Sequence, residues 1–343
     1  MNYIERSTTD PALNLAVEEL LVRERADLQP LFMLWQNANT IVIGRNQNAA
    51  QEVDRAEVAR RGVCVVRRMT GGGAVYHDLG NLNFSFILQD PAHRGFDFAR
   101  FLAPVTRTLA QFGVQAQASG RNDIVLKGAK FSGNAQYRYR DVLLHHGTLL
   151  FDSDMTVLTG VLRPDPAKLH SRGVASIHSR VTNLRPYLPA GMTLEQFKQA
   201  LVQEVGREYG SLKPITLEPD FLHKAEALAQ SRYRNPAWVW RENRRFNRER
   251  RARYPWGTLQ VRMQVERDRI ADIELSGDFF ALCDLSELEE RLLNLPFTPQ
   301  QIRSALRAVP LDTYIPGAQT EQLLALLLPD DDSGYPVRER HGR

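Results

Sequence analysis

The sequence predicts an α+β fold arranged as two domains. At 343 residues the chain exceeds what one compact core usually covers. Its strand-like runs come in groups with helical stretches between them, not in the strict alternation that builds a doubly wound parallel sheet. The character then changes after Pro189, and a new hairpin pattern begins beyond Tyr254-Pro255-Trp256-Gly257. Hydrophobic residues at 43% and charged residues at 24% are those of an ordinary globular protein. No apolar run approaches the roughly 18 residues of a membrane span. The polar start, Met1 to Asp10, does not read as a signal peptide. Two cysteines far apart, Cys64 and Cys283, suit a reducing compartment, so a cytoplasmic protein is expected.

Asp10-Pro11 followed by Leu13, Ala16, Val17, Leu20 and Leu21 reads as a capped amphipathic helix with proline in its first turn. Strands are expected at 31–35, 41–44, 63–68 and 83–88, where β-branched and aromatic residues concentrate. The spacing of Phe98, Phe101, Leu102, Val105, Leu109 and Phe112 predicts a helix that Gly113 ends. Lys127-Gly128-Ala129 joins strands at 123–126 and 130–132 as a hairpin, and a longer strand covers 143–151. After Pro189, 194–209 and 221–229 read as helices with an extended stretch, 211–219, between them. In the second domain, 259–265 and 269–276 alternate like a hairpin, and 285–293, 299–308 and 320–328 look helical. The domains are therefore set at 1–248 and 249–329, with 330–343 as a flexible tail.

Net charge is only +4, and much of the excess lies at 241–253, where seven arginines fall among thirteen residues. That stretch lacks the regularly spaced aromatics of an RNA-binding surface, so it reads as a solvated linker and no nucleic-acid partner is expected.

Chemistry concentrates at Arg67-Arg68-Met69-Thr70-Gly71-Gly72-Gly73-Ala74-Val75-Tyr76-His77-Asp78. Three adjacent glycines lose much backbone entropy on ordering, and a common reason to keep them is close approach of a ligand to main-chain N–H groups, often around phosphate. Strand periodicity sends Arg67 and Arg68 to opposite faces, so one of them, Arg68, is expected to meet the ligand. The loop is neither a Walker A sequence nor a dinucleotide fingerprint.

A second segment runs from Gly120-Arg121-Asn122-Asp123 through Lys130-Phe131-Ser132-Gly133-Asn134. The Lys130 ammonium can neutralise an acyl carboxylate and an α-phosphate as they approach. Asp123 is a candidate Mg²⁺ ligand beside nucleotide phosphates. His145 and His146 face opposite sides of a strand and cannot chelate one ion together; His146 is the one expected to line a pocket. Cys64, within an apolar strand, reads as a small buried hydrophobe. The loop 170–184 mixes small, hydroxylated and basic residues and has the composition of a lid.

Taken together these segments resemble the lipoate–protein ligase A family over nearly the whole chain. The resemblance includes Asp10-Pro11-Ala12-Leu13-Asn14-Leu15-Ala16-Val17-Glu18-Glu19, Ile43-Gly44-Arg45-Asn46-Gln47-Asn48, the glycine loop with Leu79-Gly80-Asn81-Leu82-Asn83-Phe84-Ser85-Phe86, and Ser179-Arg180-Val181-Thr182-Asn183-Leu184. It implies a mixed β-sheet catalytic domain of the biotin/lipoate ligase type followed by a small α+β domain.

The same resemblance implies that lipoate, with octanoate as an alternative acid, is activated by ATP with Mg²⁺ and passed to a lysine of an apo lipoyl domain. The acceptors it implies are 2-oxoacid dehydrogenase E2 subunits and the glycine cleavage H protein. Nucleotide contacts are implied for Arg68, Gly71, Gly72, Gly73, Ala74, Val75, Tyr76, Lys130, Gly173 and Arg180, and lipoate contacts for Lys130, His77, Gly133 and His146. Lys130 carries the catalytic role, and a monomer with no membrane partner is expected. An octanoyl transferase of the same superfamily would need a site cysteine that this region lacks. A biotin ligase would need an arginine–glycine loop that is absent, and a non-catalytic lipoate-binding protein would have little use for Lys130.

Overall fold

The computed structural model describes residues 1–92, 96–120, 122–162, 181–241, 244–307, 309–328 and 338–339. The chain divides into two compact units, the first made of 1–43, 49–69 and 74–239, the second of 44–48, 70–73 and 240–343.

In the first unit, strands β1 (Asn2–Glu5), β2 (Leu31–Trp35), β3 (Thr40–Ile43), β4 (Cys64–Arg67), β5 (Val75–His77), β6 (Asn81–Gln89), β7 (Gln117–Ser119), β8 (Asp123–Leu126), β9 (Ala129–Tyr139), β10 (Val142–Leu150) and β11 (Lys213–Pro214) form two sheets. The larger has eight strands in the order β11-β1-β2-β6-β10-β9-β8-β7. Its β11, β1 and β2 run parallel, and every pair from β2 to β7 is antiparallel. The smaller is β4-β3-β5, with a parallel and an antiparallel pair. The mixed sheet agrees with the expected fold class.

The strand β6 explains how the large sheet is used. Along Asn81-Leu82-Asn83-Phe84-Ser85-Phe86 every residue is buried, so both faces are covered, yet small polar and apolar side chains alternate. Phe84 and Phe86 point to one side; Phe86 meets Phe101 of the helix Ala99–Gln111 with ring centroids 5.4 Å apart. Asn81, Asn83 and Ser85 point to the other, toward the helix Pro11–Glu24. That helix begins as its sequence requires: the Asp10 side chain accepts hydrogen bonds from the N–H groups of Ala12 and Leu13, and proline opens the first turn. It buries Leu15, Val17, Leu20 and Leu21, and shares a core with Met33, Trp35, Leu144 and the helix Pro219–Leu228. It also buries Asn14, Glu18 and Glu19, a cost that hydrogen bonds must offset.

The second unit is an antiparallel sheet of β12 (Arg248–Tyr254), β13 (Gly257–Glu266), β14 (Arg269–Gly277) and β15 (Arg338–Glu339) in the order β14-β13-β12-β15. Leu259, Val261, Ile273 and Leu275 form its core with Leu288, Ile302 and Leu326 from three helices.

Several expectations need correction here. The arginine-rich segment is not a solvated linker: Arg248–Tyr254 pairs residue for residue with β13, and the buried Arg250 side chain donates to the Leu328 carbonyl. The second compact unit takes in 240–248 together with the residues from 249 on: Arg244 is bonded to Asp272 and the Asn247 N–H donates to the Met263 carbonyl at 3.0 Å. It also takes in two loops from far earlier in the chain, which no composition shift could announce. Within the expected tail, Arg338 and Glu339 pair with Arg251 and Arg250. Cys64 is exposed, not buried, because it opens β4, where burial grows along the strand from Cys64 through half-buried Val65 to buried Val66 and Arg67. Among the described residues no helix is long and apolar enough to cross a membrane.

Candidate functional site

Lys130 owes its position to an irregular strand pair. In the ladder between β8 and β9, Asp123 pairs with Gly133 and Ile124 with Ser132, but Val125 pairs with Lys130, so Phe131 is an extra residue. Such a bulge moves Lys130 onto the face that Gly133 occupies. The Lys130 Nζ lies 2.7 Å from the Asp123 carboxylate. It rests against the Gly133 main chain so closely that a Cβ there would be 2.7 Å from it. Gly133 thus leaves room for the ammonium in this position, and its N–H donates to Thr148 Oγ1 at 3.2 Å. Asp123 and Lys130 are each about one-third exposed, at 33% and 37%. Their attachment is therefore weak enough for an anion to rearrange.

As for Mg²⁺, the Asp123 carboxylate is engaged by Lys130, and among the described residues no group of three or more His, Cys, Asp or Glu side chains could hold a metal ion. A Mg²⁺ ion held by one carboxylate and nucleotide phosphates, the arrangement expected at Asp123, needs no such group.

A second cluster lies across the same sheet face. Thr148 of β10 pairs with Asn83 of β6, His146 with Ser85, and Asn83 with Trp35 of β2. Glu18, from the helix above, accepts from Ser85 Oγ at 2.6 Å and from His146 Nδ1 at 3.0 Å. Since a carboxylate can only accept, the His146 proton sits on Nδ1. Trp35 Nε1 donates to Ser85 Oγ at 2.9 Å and completes the chain. Adjacent His145 points to the opposite face, where it stacks on Phe101 and accepts from Gln136. Burial holds it neutral, well below an ordinary histidine.

His77 joins the Glu18 cluster from β5. Its ring meets the Trp35 edge at 6.1 Å, and burial, helped by the charges of Arg68 and His146, pushes its pKa down to about 3. Arg68 is buried with 6% of its surface exposed, and its guanidinium donates to the Val42 carbonyl at 3.1 Å. Burial lowers it to about 10, against the opposing attraction of Glu18. Arg67 goes the other way, fully buried, with Nε and Nη2 donating to the Trp238 and Val239 carbonyls. Tyr76 donates its hydroxyl to Asn39 Oδ1 at 2.9 Å, and Val75 flanks it on β5. The structure thus brings together Arg68, His77 and His146 in one cluster, and Lys130, Gly133 and Asp123 in another, on one wall of the first unit.

The glycine loop has a partner inside the second unit. Gly72 has a φ of 91° and donates its N–H to the Phe279 carbonyl at 3.1 Å. A Cβ on Gly71 would lie 2.4 Å from that same carbonyl, whereas one on Gly73 would meet nothing within 4 Å. The need for glycine at 71 and 72 is therefore met by protein main chain. Gly173 and Arg180 lie outside the described residues, as does the rest of the expected lid, 170–184, up to residue 180; at its end the Thr182 N–H donates to the Lys130 carbonyl at 2.8 Å.

Sequence reasoning gave no role to Glu18, Asn14, Asn37, Trp35 or Ser85. The signal was present: Asn14 and Glu18 stand four apart within an otherwise apolar helix, and β6 alternates polar with aromatic residues inside a core.

Comparison with known proteins gives a consistent picture. Residues 10–206 match the lipoyl protein ligase A/B catalytic domain, and residues 243–327 match the bacterial lipoate protein ligase C-terminus. The chain is 37% identical over 324 residues to the lipoate-protein ligase LplJ of Bacillus subtilis, covering 94% of this chain and 98% of that protein. Among solved structures it is similar to P. falciparum LipL1 in complex with lipoate, with a TM-score of 0.75 and 23% identity over 94% of this chain and 96% of that one. It is also similar to a lipoate-protein ligase A bound with ATP, with a TM-score of 0.60 and 23% identity over 70% of this chain and 98% of that one.

Proposed function

The chain belongs to the lipoate–protein ligase A family, and from that premise we propose that it activates lipoate with ATP and transfers the lipoyl group to a lysine of an apo lipoyl domain. The observation that carries this reading is the Lys130 ammonium, held over the Gly133 main chain at one end of an interior wall whose other end is Trp35 and His77.

In the first half-reaction a lipoate carboxylate oxygen attacks the α-phosphorus of ATP, and pyrophosphate leaves with the bonding pair. Two anions must meet for this, and their repulsion is a barrier that one cation can lower. Lys130 supplies it by leaving Asp123, whose one-third-exposed pairing costs little to break. In the second half-reaction a neutral lysine amine of the acceptor attacks the carbonyl of the mixed anhydride, and AMP leaves. The same ammonium then faces the carbonyl oxygen as charge develops on it. Arg68, Gly71, Gly72, Gly73, Ala74, Val75 and Tyr76 are assigned to the nucleotide, with Gly173 and Arg180 of the covering loop. His77, Gly133 and His146 are assigned to the lipoyl side. E2 subunits of 2-oxoacid dehydrogenases and the glycine cleavage H protein are the proposed acceptors, and Mg²⁺ enters bound to ATP.

A reaction with ATP, Mg²⁺, lipoate and an apo lipoyl domain tests the proposal by mass spectrometry of the domain. The expected result is one lipoyl group added, with AMP and pyrophosphate released. Acylation that proceeds without ATP, from an acyl carrier protein, would overturn it in favour of a transferase.

A further inference from the structure

We propose that His77 Nε2–H donates to a ring sulfur of bound lipoate, and that this contact sets a preference for lipoate over octanoate; the inference rests on the ligase reading above. Two asparagines fix which ring nitrogen carries the proton. Asn14 Nδ2 donates to Asn37 Oδ1 at 3.1 Å, so the Asn37 amide must turn its NH₂ toward His77 Nδ1, 3.0 Å away. Nδ1 is then an acceptor, and in a neutral imidazole the proton belongs to Nε2. That Nε2 is buried and has no hydrogen-bond partner among the described residues. A buried, unpartnered donor on a residue only 3% exposed is destabilising unless something else accepts from it.

The ladder says where along an acyl chain this donor stands. With the carboxylate held at Lys130, the wall runs from Gly133 on β9 to Thr148 on β10, Asn83 on β6 and Trp35 on β2, whose ring touches His77. Three strand spacings make about 14 Å, and side chains reaching inward from both ends reduce the gap to roughly 10 Å. An extended acyl chain of octanoate length spans about 9 Å from its carboxyl carbon. His77 therefore meets the far end of the chain, where lipoate carries sulfur and octanoate only hydrocarbon. Asn83 Nδ2, also buried and unpartnered, stands one strand nearer Lys130 and meets the chain closer to its carboxyl end. A ring disulfide sulfur is a weak acceptor, but octanoate would leave His77 with nothing at all.

Competition between lipoate and octanoate for ATP-dependent transfer to an apo lipoyl domain, with the full chain, reads the preference. His77→Phe is expected to lower the lipoate-to-octanoate ratio of kcat/KM by about five- to tenfold. His77→Gln, whose amide nitrogen reaches to about where Nε2 lies, should retain most of the ratio. An unchanged ratio in His77→Phe, or a parallel loss for both acids, overturns the inference while leaving the ligase intact. If the unaltered protein transfers neither acid, the ligase reading itself fails. A measurement that needs no variant is nitrogen NMR with labelled histidine: the His77 Nε2–H signal should shift on adding lipoate and not octanoate, and an equal response to both would count against the contact.

Discussion

Arg67, at the end of β4, and Lys130, at the start of β9, are both basic, yet they should fail in different ways when removed. Lys130→Ala leaves a one-third-exposed site whose ion pair contributes at most about 1 kcal/mol, so the protein should stay folded. Lipoyl-AMP formation, followed as pyrophosphate release, should nearly vanish; normal adenylate yield would remove Lys130 from the chemistry. Arg67→Ala deprives two buried carbonyls of their donors and leaves a cavity, so it should destabilise by about 3 kcal/mol in urea unfolding. A loss under about 1 kcal/mol would show that those carbonyls find other partners. Both roles were partly legible. Strand alternation sends the two arginines to opposite faces, and Arg67 is the one held by main-chain carbonyls; a lysine between glycine-rich turns is expected near a ligand. The sequence places Asp123 across the hairpin from that lysine, but the bulge at Phe131, which decides the face of Lys130, leaves no mark in composition. Nor did it give Glu18 a place, since a glutamate on a helix is usually solvated.

Among the elements, long periodic ones were easy to read. The helix expected at 194–209 is Leu194–Tyr209, with Thr193 and Gln196 forming a capping box. The hairpin at Lys127-Gly128 has positive φ at both positions, 48° and 82°. Short strands such as Asn2–Glu5 and Val75–His77 escaped because a few residues carry no period, and their pairing is decided by distant neighbours. The glycine loop was recognised as special, but its reason was only half visible. Gly71→Ala would drive a Cβ into the Phe279 carbonyl, and should lower stability by about 2 kcal/mol or more in chemical unfolding. Gly73→Ala meets no such obstacle, and should change stability by less than about 0.5 kcal/mol. If Gly73 serves the nucleotide, the same variant should raise the KM for ATP. Equal destabilisation by the two alanines would contradict the geometry that separates them.

For the whole molecule, buried ionisable groups make the two units respond oppositely to acid. In the first unit His77 and His145 are held neutral, with His77 at about 3 against an ordinary value of 6.5. Below about 6.5 the unfolded chain takes up protons that the folded unit refuses, so the folded unit is penalised progressively as pH falls from about 6.5 toward 3. Each such group contributes a slope of at most about 1.4 kcal/mol per pH unit. In the second unit the sign reverses. Burial raises the Glu289 carboxyl from 4.5 to about 7, although its contact with the Leu275 N–H and the charges of Arg244 and Arg241 pull it down. Between those values the folded unit binds a proton that the unfolded chain does not, so acid favours folding there. Hydrogen exchange at pH 7 and pH 5, corrected for the intrinsic rate, should therefore show protection falling in β6 and β10 and holding or rising in β13 and β14. Replacing His145 with phenylalanine should flatten the acid sensitivity of the first unit, because the aromatic surroundings of Phe84, Phe86 and Phe101 accept an apolar ring and the proton uptake disappears. Parallel loss of protection in both units on acidification would mean that Glu289 titrates as it does in the unfolded chain, and that its burial beneath Arg244 and Arg241 does not control the second unit.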